Sequence, residues 1–333
     1  MKVSVIVPVR DEEDSIRTLL DGLLNQSRKP DEIVITDGGS TDSTTDIISG
    51  YILQGAPIKL IVTKMALPGH GRNLGARAAD SEWLGFIDAG IKPDRHWLEY
   101  LVKKAEGDAT IDVVYGSWAP VTNSFFKECA AIAYVPPPRD SDGESLRPRS
   151  ITSTLMRKKV WQAVGGFPEY LRSGEDLVFM NRIDAAGFCS VSESRAIVYW
   201  QIKPSMTSTF KRFVTYSRNN IRAGLWRDWQ LTIFRRYLVL LFLTIPAFWR
   251  GASWLLLPFG AWLVLMFARA AVAIRRNRFC FPTKLVRNLG RIFAVTAVIV
   301  VLDAAAFIGT FEWLLKDSFR QNPTPVMEAD DDA

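Results

Sequence analysis

The sequence predicts an α/β domain built on a mainly parallel sheet, followed by C-terminal transmembrane helices. Three observations carry this. Short apolar runs rich in β-branched residues alternate with segments of helical period from Val3 to Asp88. Acids and glycines follow directly on several of those runs, as in Trp83-Leu-Gly-Phe-Ile-Asp88-Ala-Gly90. The composition then changes. Up to about residue 200 apolar and charged stretches alternate, and after about residue 236 the chain is apolar and rich in Trp, Phe and Leu.

Val3–Val9 is a continuous β-branched run, the pattern of a strand buried on both faces. Pro8, which has no N–H to give, marks where its pairing ends. Ile16, Leu19, Leu20, Leu23 and Leu24 form one face of a helix from about Glu13 to Leu24. A second strand, Glu32–Thr36, runs into Asp37-Gly-Gly-Ser-Thr-Asp42. A helix from about Ser43, a strand at Ile58–Thr63, a helix at about Arg72–Ala79 and a strand at Trp83–Asp88 follow. Strand and helix alternating at this spacing imply crossovers and a parallel sheet. Further strands are expected at Val113–Gly116 and Ile151–Met156, with a Pro-, Arg- and Asp-rich loop at Val135–Arg149 between them. A loop of that length in a compact domain is either a lid or a plain surface excursion.

In such a sheet three acidic loops share the carboxyl edge, where open α/β sheets bind ligands: Arg10–Glu12, Asp37–Asp42 and Asp88–Gly90. Each alone reads more readily as an acidic turn than as a site. No Gly-x-Gly-x-x-Gly follows the first strand and there is no Walker sequence, which disfavours the usual dinucleotide and P-loop sites. Carboxylates accept hydrogen bonds from base imide and ribose groups, or hold a metal that carries phosphates. A nucleotide of base, ribose and diphosphate needs that set. Farther on, Glu175-Asp176 opens a helical run; acids there complement the helix dipole, or serve as a general base at a pocket rim.

Together these fragments resemble the family 2 inverting glycosyltransferases, over residues 3 to about 200. Val5-Ile-Val-Pro-Val-Arg-Asp11-Glu12 is similar to the family's opening strand, with Asp11 where Asn is usual. Asp37-Gly-Gly-Ser-Thr-Asp42 resembles its Asp-x-x-Ser-x-Asp loop, and Gly71-Arg72-Asn73-Leu-Gly75 its Ala-Arg-Asn-x-Gly segment. Asp88-Ala-Gly90 stands where the family has Asp-x-Asp, and Glu175-Asp176 matches its Glu-Asp base motif. The resemblance implies a GT-A fold and a single displacement at the anomeric carbon of a nucleotide sugar, a UDP-sugar being favoured. It implies donor contacts at Pro8, Arg10, Glu12, Asp37, Gly39, Ser40, Lys64, Arg72, Asn73, Asp88 and Ala89, with Asp37 on the base. Asp176 is the expected general base and Glu175 the second candidate; a base contributes roughly 10²- to 10⁴-fold. Asp88 is the expected Mg²⁺ or Mn²⁺ contact, but Gly90 has no ligand where the family's last acid stands. Either Asp88, the diphosphate and water hold a metal, or Lys64, Arg72 or the 135–149 loop supplies the charge. His70 and His96 are possible helpers, though a lone His is more often structural. A general base favours a hydroxyl acceptor over an already ionised phosphate.

From Lys203 to Arg236 eight basic residues face one acid, Asp228, with aromatics interleaved. That reads as amphipathic helices on an anionic membrane surface. RNA binding would share the pattern, but no nucleic-acid module accompanies it. Tyr237–Ile274 would be about 57 Å long as one helix, against a hydrocarbon core of about 30 Å. Two spans with a turn near Arg250–Ser253 are expected, and a third at Ile292–Leu315, interrupted by Asp303. The alternative is two spans and an interfacial third helix. The connecting loop carries Arg275, Arg276, Arg278, Lys284, Arg287 and Arg291 and no acid, so it should be cytoplasmic. Met1–Val9 is too short for a signal peptide, so the first domain is expected in the cytoplasm, with the protein multi-pass in the inner membrane. Three spans would put the acidic tail Glu328–Asp332 outside.

The expected domains are 1–202, a cytoplasmic GT-A domain; 203–236, basic interfacial helices; 237–316, the membrane region; and 317–333, a disordered acidic tail. Cys129, Cys189 and Cys280 match no metal or redox spacing and read as core or membrane thiols in a reducing compartment. No Gln-x-x-Arg-Trp precedes the membrane part, which favours transfer of one sugar to a lipid-linked or envelope glycan over processive synthesis. The missing acid at Gly90 leaves a third reading, a catalytically silent nucleotide-sugar binder.

Overall fold

The computed structural model describes residues 1–141, 144–282 and 285–318. Among these, one compact unit holds Met1–Pro120 and Pro138–Gln201, and a second holds Val121–Pro137 and the chain from Ile202 on. Val121–Pro137, expected inside the first domain, packs with the second unit. The tail Glu328–Asp332 and Lys284 lie outside the described residues.

The first unit runs β1 (Val3–Val9), α1 (Ile16–Leu24), β2 (Glu32–Asp37), α2 (Thr44–Leu53), β3 (Ile58–Val62), α3 (Pro68–Ala78), β4 (Trp83–Phe86), β5 (Ile91–Pro93), α4 (Trp97–Glu106) and β6 (Val113–Val121). After α5 (Phe125–Tyr134), which belongs to the second unit, come β7 (Arg139–Ser141), β8 (Glu144–Leu146), β9 (Thr154–Arg157), α6 (Lys158–Ala163), α7 (Glu175–Ala185) and β10 (Ser190–Gln201). Eight strands form one sheet in the order β3-β2-β1-β4-β9-β6-β10-β5. Strands joined by helical crossovers, β3, β2, β1 and β4, pair in parallel. From β9 outward the pairing turns antiparallel: β9 runs against both β4 and β6, and β10 against β5. The 135–149 segment is not wholly a loop, since β7 and β8 pair as a hairpin within it.

Strand alternation sorts the core into two layers. Val3, Val5, Val7 and Val9 join Ile33, Ile35, the apolar stripe of α1 and Trp97, Leu98 and Leu101 of α4. Ile6, Val34, Leu84 and Phe86 face the other way, against Ala76 of α3 and Phe179, Met180 and Ile183 of α7. A side chain of this size, fully buried, contributes about 1.5–3 kcal/mol. The register sets the carboxyl edge. Val9 lies opposite Asp37, Asp37 opposite Val62, and Ile6 opposite Phe86. The loops after β1, β2, β3 and β4 therefore leave the sheet on one side.

The second unit contains α5, α8 (Met206–Arg222), α9 (Trp226–Phe242), α10 (Ile245–Arg250), α11 (Leu256–Arg276) and α12 (Leu285–Lys316). Gly251, at φ 96°, breaks the chain between α10 and α11 within the expected turn. Among the described residues three helical stretches are long and apolar enough to cross a membrane: Trp226–Arg250, Ala252–Arg276 and Val286–Lys316. The first begins at Trp226, so the basic stretch 203–236 covers α8 and runs on into the first half of α9. Cys129 and Ile132 of α5 are buried against Met266, Ala270, Val295 and Ile299. Asp303 is 1% exposed and makes a two-pronged ion pair with Arg269, while the Tyr237 hydroxyl donates to it at 3.1 Å. The cysteines are free: Cys129 is buried and Cys280 half-buried, but Cys189, just before β10, is exposed and so is no core thiol.

Candidate active site

The first two edge loops are tied by backbone donors. The Thr41 N–H donates to Asp11 Oδ1 at 2.7 Å, the Asp11 N–H to Ser40 Oγ at 2.9 Å, and the Glu12 N–H to Thr44 Oγ1 at 2.8 Å. Asp11 sits at φ 50°, a left-handed conformation that Asn and Asp tolerate best. Asp and Asn serve equally here, because the contact needs only an acceptor oxygen. Arg10 makes an ion pair with Asp11 at 3.5 Å.

Asp37 is fully buried at the end of β2. Its Oδ2 accepts from the N–H groups of Gly39 and Ser40, both at 3.0 Å, and its Oδ1 from the Ser40 hydroxyl. The carboxylate thus holds its own loop in shape. A Cβ on Gly39 would lie 2.3 Å from the Lys64 carbonyl, and one on Gly38 2.7 Å from that of Ala66. Glycine is required for that approach. Lys64 meets this loop through its backbone while its side chain is exposed.

Helix α3 is lowered onto the sheet by its glycines. A Cβ on Gly75 would meet Ile6 Cγ2 at 2.6 Å, one on Gly71 would meet Pro8 at 3.1 Å, and one on Gly69 the Pro168 carbonyl at 2.3 Å. Pro8 is therefore a packing surface for α3. The close approach drives Arg72, 3% exposed, under the ring of Phe167, whose centroid is 5.4 Å from the guanidinium. One guanidinium nitrogen donates to Glu175 Oε1 and the other to Asp88 Oδ1, each at 2.6 Å. Burial opposes the Arg72 charge, but the charges of Asp88, Glu175 and Asp176 outweigh it, and the group is held cationic above its ordinary range.

Asn73, expected on the donor, is committed to the fold. Its amide nitrogen donates to the Phe167 carbonyl and to Glu169 Oε1, and its oxygen accepts from the Trp161 indole and the Phe167 N–H. That uses the whole hydrogen-bonding capacity of the amide and fixes the turn that carries Phe167. The His96 ring contacts the Ser27 and Glu99 side chains at the start of α4; His70 lies in α3, half-buried.

Gly174, at φ 81°, turns the chain into α7, so that Glu175 and Asp176 occupy its first turn. Glu175 is 4% exposed, and its Oε2 is buried without a hydrogen-bond partner among the described residues. Burial raises its pKa to about 7 against the pull of Arg72. Asp176 is half-buried, and burial also pushes it upward. Its Oδ1 accepts from the Leu177 N–H at 2.9 Å, and its other oxygen accepts no hydrogen bond among the described residues.

One cation thus faces three carboxylates. Ala89 and Gly90 follow Asp88, and Gly90 has φ 75°. A Cβ on Gly90 would lie 3.5 Å from Glu12 Oε2. An acid at that position would therefore meet both an unfavourable backbone and a like charge, which is a physical reason for glycine. Among the described residues no group of three or more His, Cys, Asp and Glu side chains converges as a metal cage. Asp88, the expected ligand, has one of its oxygens on Arg72, so these residues do not by themselves build a metal site.

Sequence reasoning identified Asp88, Arg72, Glu175 and Asp176, and the structure brings them together. It missed Phe167, which lies in Gly165-Gly-Phe-Pro168, and Glu169 and Thr44, which carry no motif.

Residues 4–165 match the family model described as glycosyl transferase family 2. The glycosyltransferase AglE of Haloferax volcanii is 28% identical over 193 residues, 56% of this chain and 62% of that protein. A poly(ribitol-phosphate) beta-glucosyltransferase of Bacillus spizizenii is 30% identical over 208 residues, 58% of this chain and 31% of that protein. The chain thus spans less than two-thirds of either relative. In fold, it is similar to the mannosyltransferase PcManGT of Pyrobaculum calidifontis, determined with GDP-Man and Mn²⁺, at a TM-score of 0.56 and 18% identity, over 95% of this chain and 88% of that one.

Proposed function

The chain belongs to glycosyl transferase family 2 through residues 4–165, and on that premise we propose that it moves one sugar from a nucleotide sugar to a hydroxyl, with inversion. The carrying observation is the constellation in which Arg72 joins Asp88, two residues beyond β4, to Glu175, at the start of α7, beside Asp176.

The roles divide by exposure. Glu175 is locked on Arg72, while Asp176 keeps one oxygen free at the helix start. Asp176 takes the proton of the acceptor hydroxyl as that oxygen attacks the anomeric carbon. The bond from that carbon to the nucleoside diphosphate breaks in the same displacement. Glu175 and Asp88 hold Arg72, and Arg72 supplies positive charge beside the leaving group. The loops at Arg10–Glu12 and Asp37–Ser40, with Lys64 and Ala89, flank the donor, and UDP-sugars are the favoured class. A divalent ion, if bound, would add positive charge at the diphosphate, with Asp88 as the protein contact.

One relative is named as a poly(ribitol-phosphate) beta-glucosyltransferase. That supports an envelope glycan or lipid-linked acceptor, reached by a protein held in the cytoplasmic membrane with its first unit in the cytoplasm. Gly90 beside Glu12 favours a second reading, a nucleotide-sugar binder without turnover. A thermal-shift screen of UDP-, GDP- and dTDP-sugars with and without Mn²⁺, followed by donor consumption in membranes with and without EDTA, separates them. Binding without turnover under every condition would favour the silent reading.

A further inference from the structure

Helix α12 has the most apolar sequence of the three candidate spans, yet it is the most enclosed by protein. Of the most apolar stretch of each, 0% is buried in Trp226–Arg250, 17% in Ala252–Arg276 and 39% in Val286–Lys316. What encloses α12 is informative. Near its first turn Arg287 and Arg291 are paired with Glu128 of α5. At its other end Asp317 accepts from Arg218 of α8 at 2.8 Å, with both side chains 9% exposed. There the helices touch at backbone distance, since a Cβ on Gly309 would lie 2.4 Å from the Val214 carbonyl.

Neither clamp can lie across a bilayer from the first unit. The chain enters α5 from Pro120 and leaves it at Pro138, both residues of the first unit, and α5 has only ten residues. Helix α8 follows β10 after Gln201, and with Lys211, Arg212, Arg218, Asn219, Asn220 and Arg222 it is too polar to cross. Both ends of α12 are therefore bound to helices on the catalytic side. A helix with both ends on one side of a membrane does not span it, although 32 residues would reach about 48 Å.

We propose that α12 lies in the plane of the membrane surface, that the α9–α11 hairpin is the inserted element, and that the tail beyond α12 stays on the side of the catalytic unit. The outer stripe of α12 fits this placement. Leu289 and Phe293 are four residues apart, Phe307, Phe311 and Leu315 follow at the same step, and the fourteen residues between the two sets are close to four helical turns, so all five lie on one exposed face, a surface for the boundary of acyl chains and headgroups. Its inner stripe carries Arg291, Val295, Ile299, Asp303 and Ala306, all buried. Along the chain, exposed Arg227, Arg235, Arg275, Arg276 and Arg278 lie toward the two open ends of the hairpin, against Arg250 beside the turn at Gly251, an excess expected for a base on the cytoplasmic face. Of the two expectations, three spans or two spans and an interfacial third helix, this placement takes the second, with an even span count.

This rests on the protein residing in a membrane, not on its transferase activity. Two measurements on the full chain test it. Reporters fused in turn to Met1 and to Ala333, green fluorescent protein and alkaline phosphatase, should both report the cytoplasmic side. A terminus beyond Ala333 on the opposite side overturns the proposal. Spin labels at Phe293→Cys, Ala304→Cys and Phe311→Cys, with Cys189 and Cys280 replaced by Ser, should report one shallow depth. Ala304 near the bilayer centre, with the other two near opposite surfaces, also overturns it. Recovery in the soluble fraction after carbonate extraction would refute membrane residence itself, an outcome distinct from a wrong topology.

Discussion

Arg72 and Glu175, 103 positions apart, meet at 2.6 Å in the interior, while the other arm of the same guanidinium holds Asp88. Removing the cation leaves two carboxylates without their counter-charge. Arg72→Ala should lose about 3–5 kcal/mol of stability, the range for stranding a buried charge. Arg72→Lys, which cannot bridge two groups in a fixed fork, should keep the fold and lower kcat. Urea titration and transfer rates read the two effects; full activity in Arg72→Lys would refute the bridging role.

Asp176→Asn keeps the shape of the site and removes the proton acceptor. Transfer should fall roughly 10²- to 10⁴-fold, with nucleotide affinity within a factor of a few of the parent. Parental turnover in this variant would move the base elsewhere.

The pH dependence has a sign. Glu175 carries an ordinary value of 4.5 and is pushed to about 7 in the fold by burial, Arg72 opposing. Between those values the folded protein holds a proton that the unfolded chain has released. Stability from this group is complete below pH 4.5 and is lost as pH rises through 7. The upward shift of Asp176 adds in the same direction. Thermal midpoints of the parent should fall across that window more steeply than those of Glu175→Gln; parallel slopes would show that Glu175 ionises freely.

Asn73→Ala removes four hydrogen bonds at once and strands the Trp161 indole and the Phe167 N–H. A loss of about 2–4 kcal/mol is expected at one or two stranded groups costing about 1–3 each. Because the turn carrying Phe167 would loosen over Arg72, kcat should drop with little change in donor affinity. Calorimetry with a KM-against-kcat comparison checks both.

Periodic features were legible in the sequence. The β-branched run of β1 and the stripe Ile16, Leu19, Leu20 and Leu23 declare themselves because burial of one face is written locally. The acids at strand ends were legible too, since topology puts them on one edge. Partnership was not. Nothing local to Asp88 announces that Arg72 takes one of its oxygens, and nothing near Asn73 announces Phe167. The antiparallel half of the sheet was hidden because β9 pairs with strands distant in sequence. The packing of α5 with α11 and α12 was hidden because its Ala- and Cys-rich face looks like any small core helix. The absence of an acid at Gly90 was visible, but its neighbour Glu12 was not.

The glycines of α3 also bear on when the site comes into being. Gly69, Gly71 and Gly75 each weaken an isolated helix by about 1 kcal/mol relative to Ala. An eleven-residue helix so composed has little tendency to form alone. It becomes helical when β1 and the Phe167 turn are in place to receive it, so its contacts belong to the downhill side of the folding barrier. The Arg72 bridge then acts as a seal of completed assembly, and regain of donor binding after refolding should lag behind regain of sheet signal.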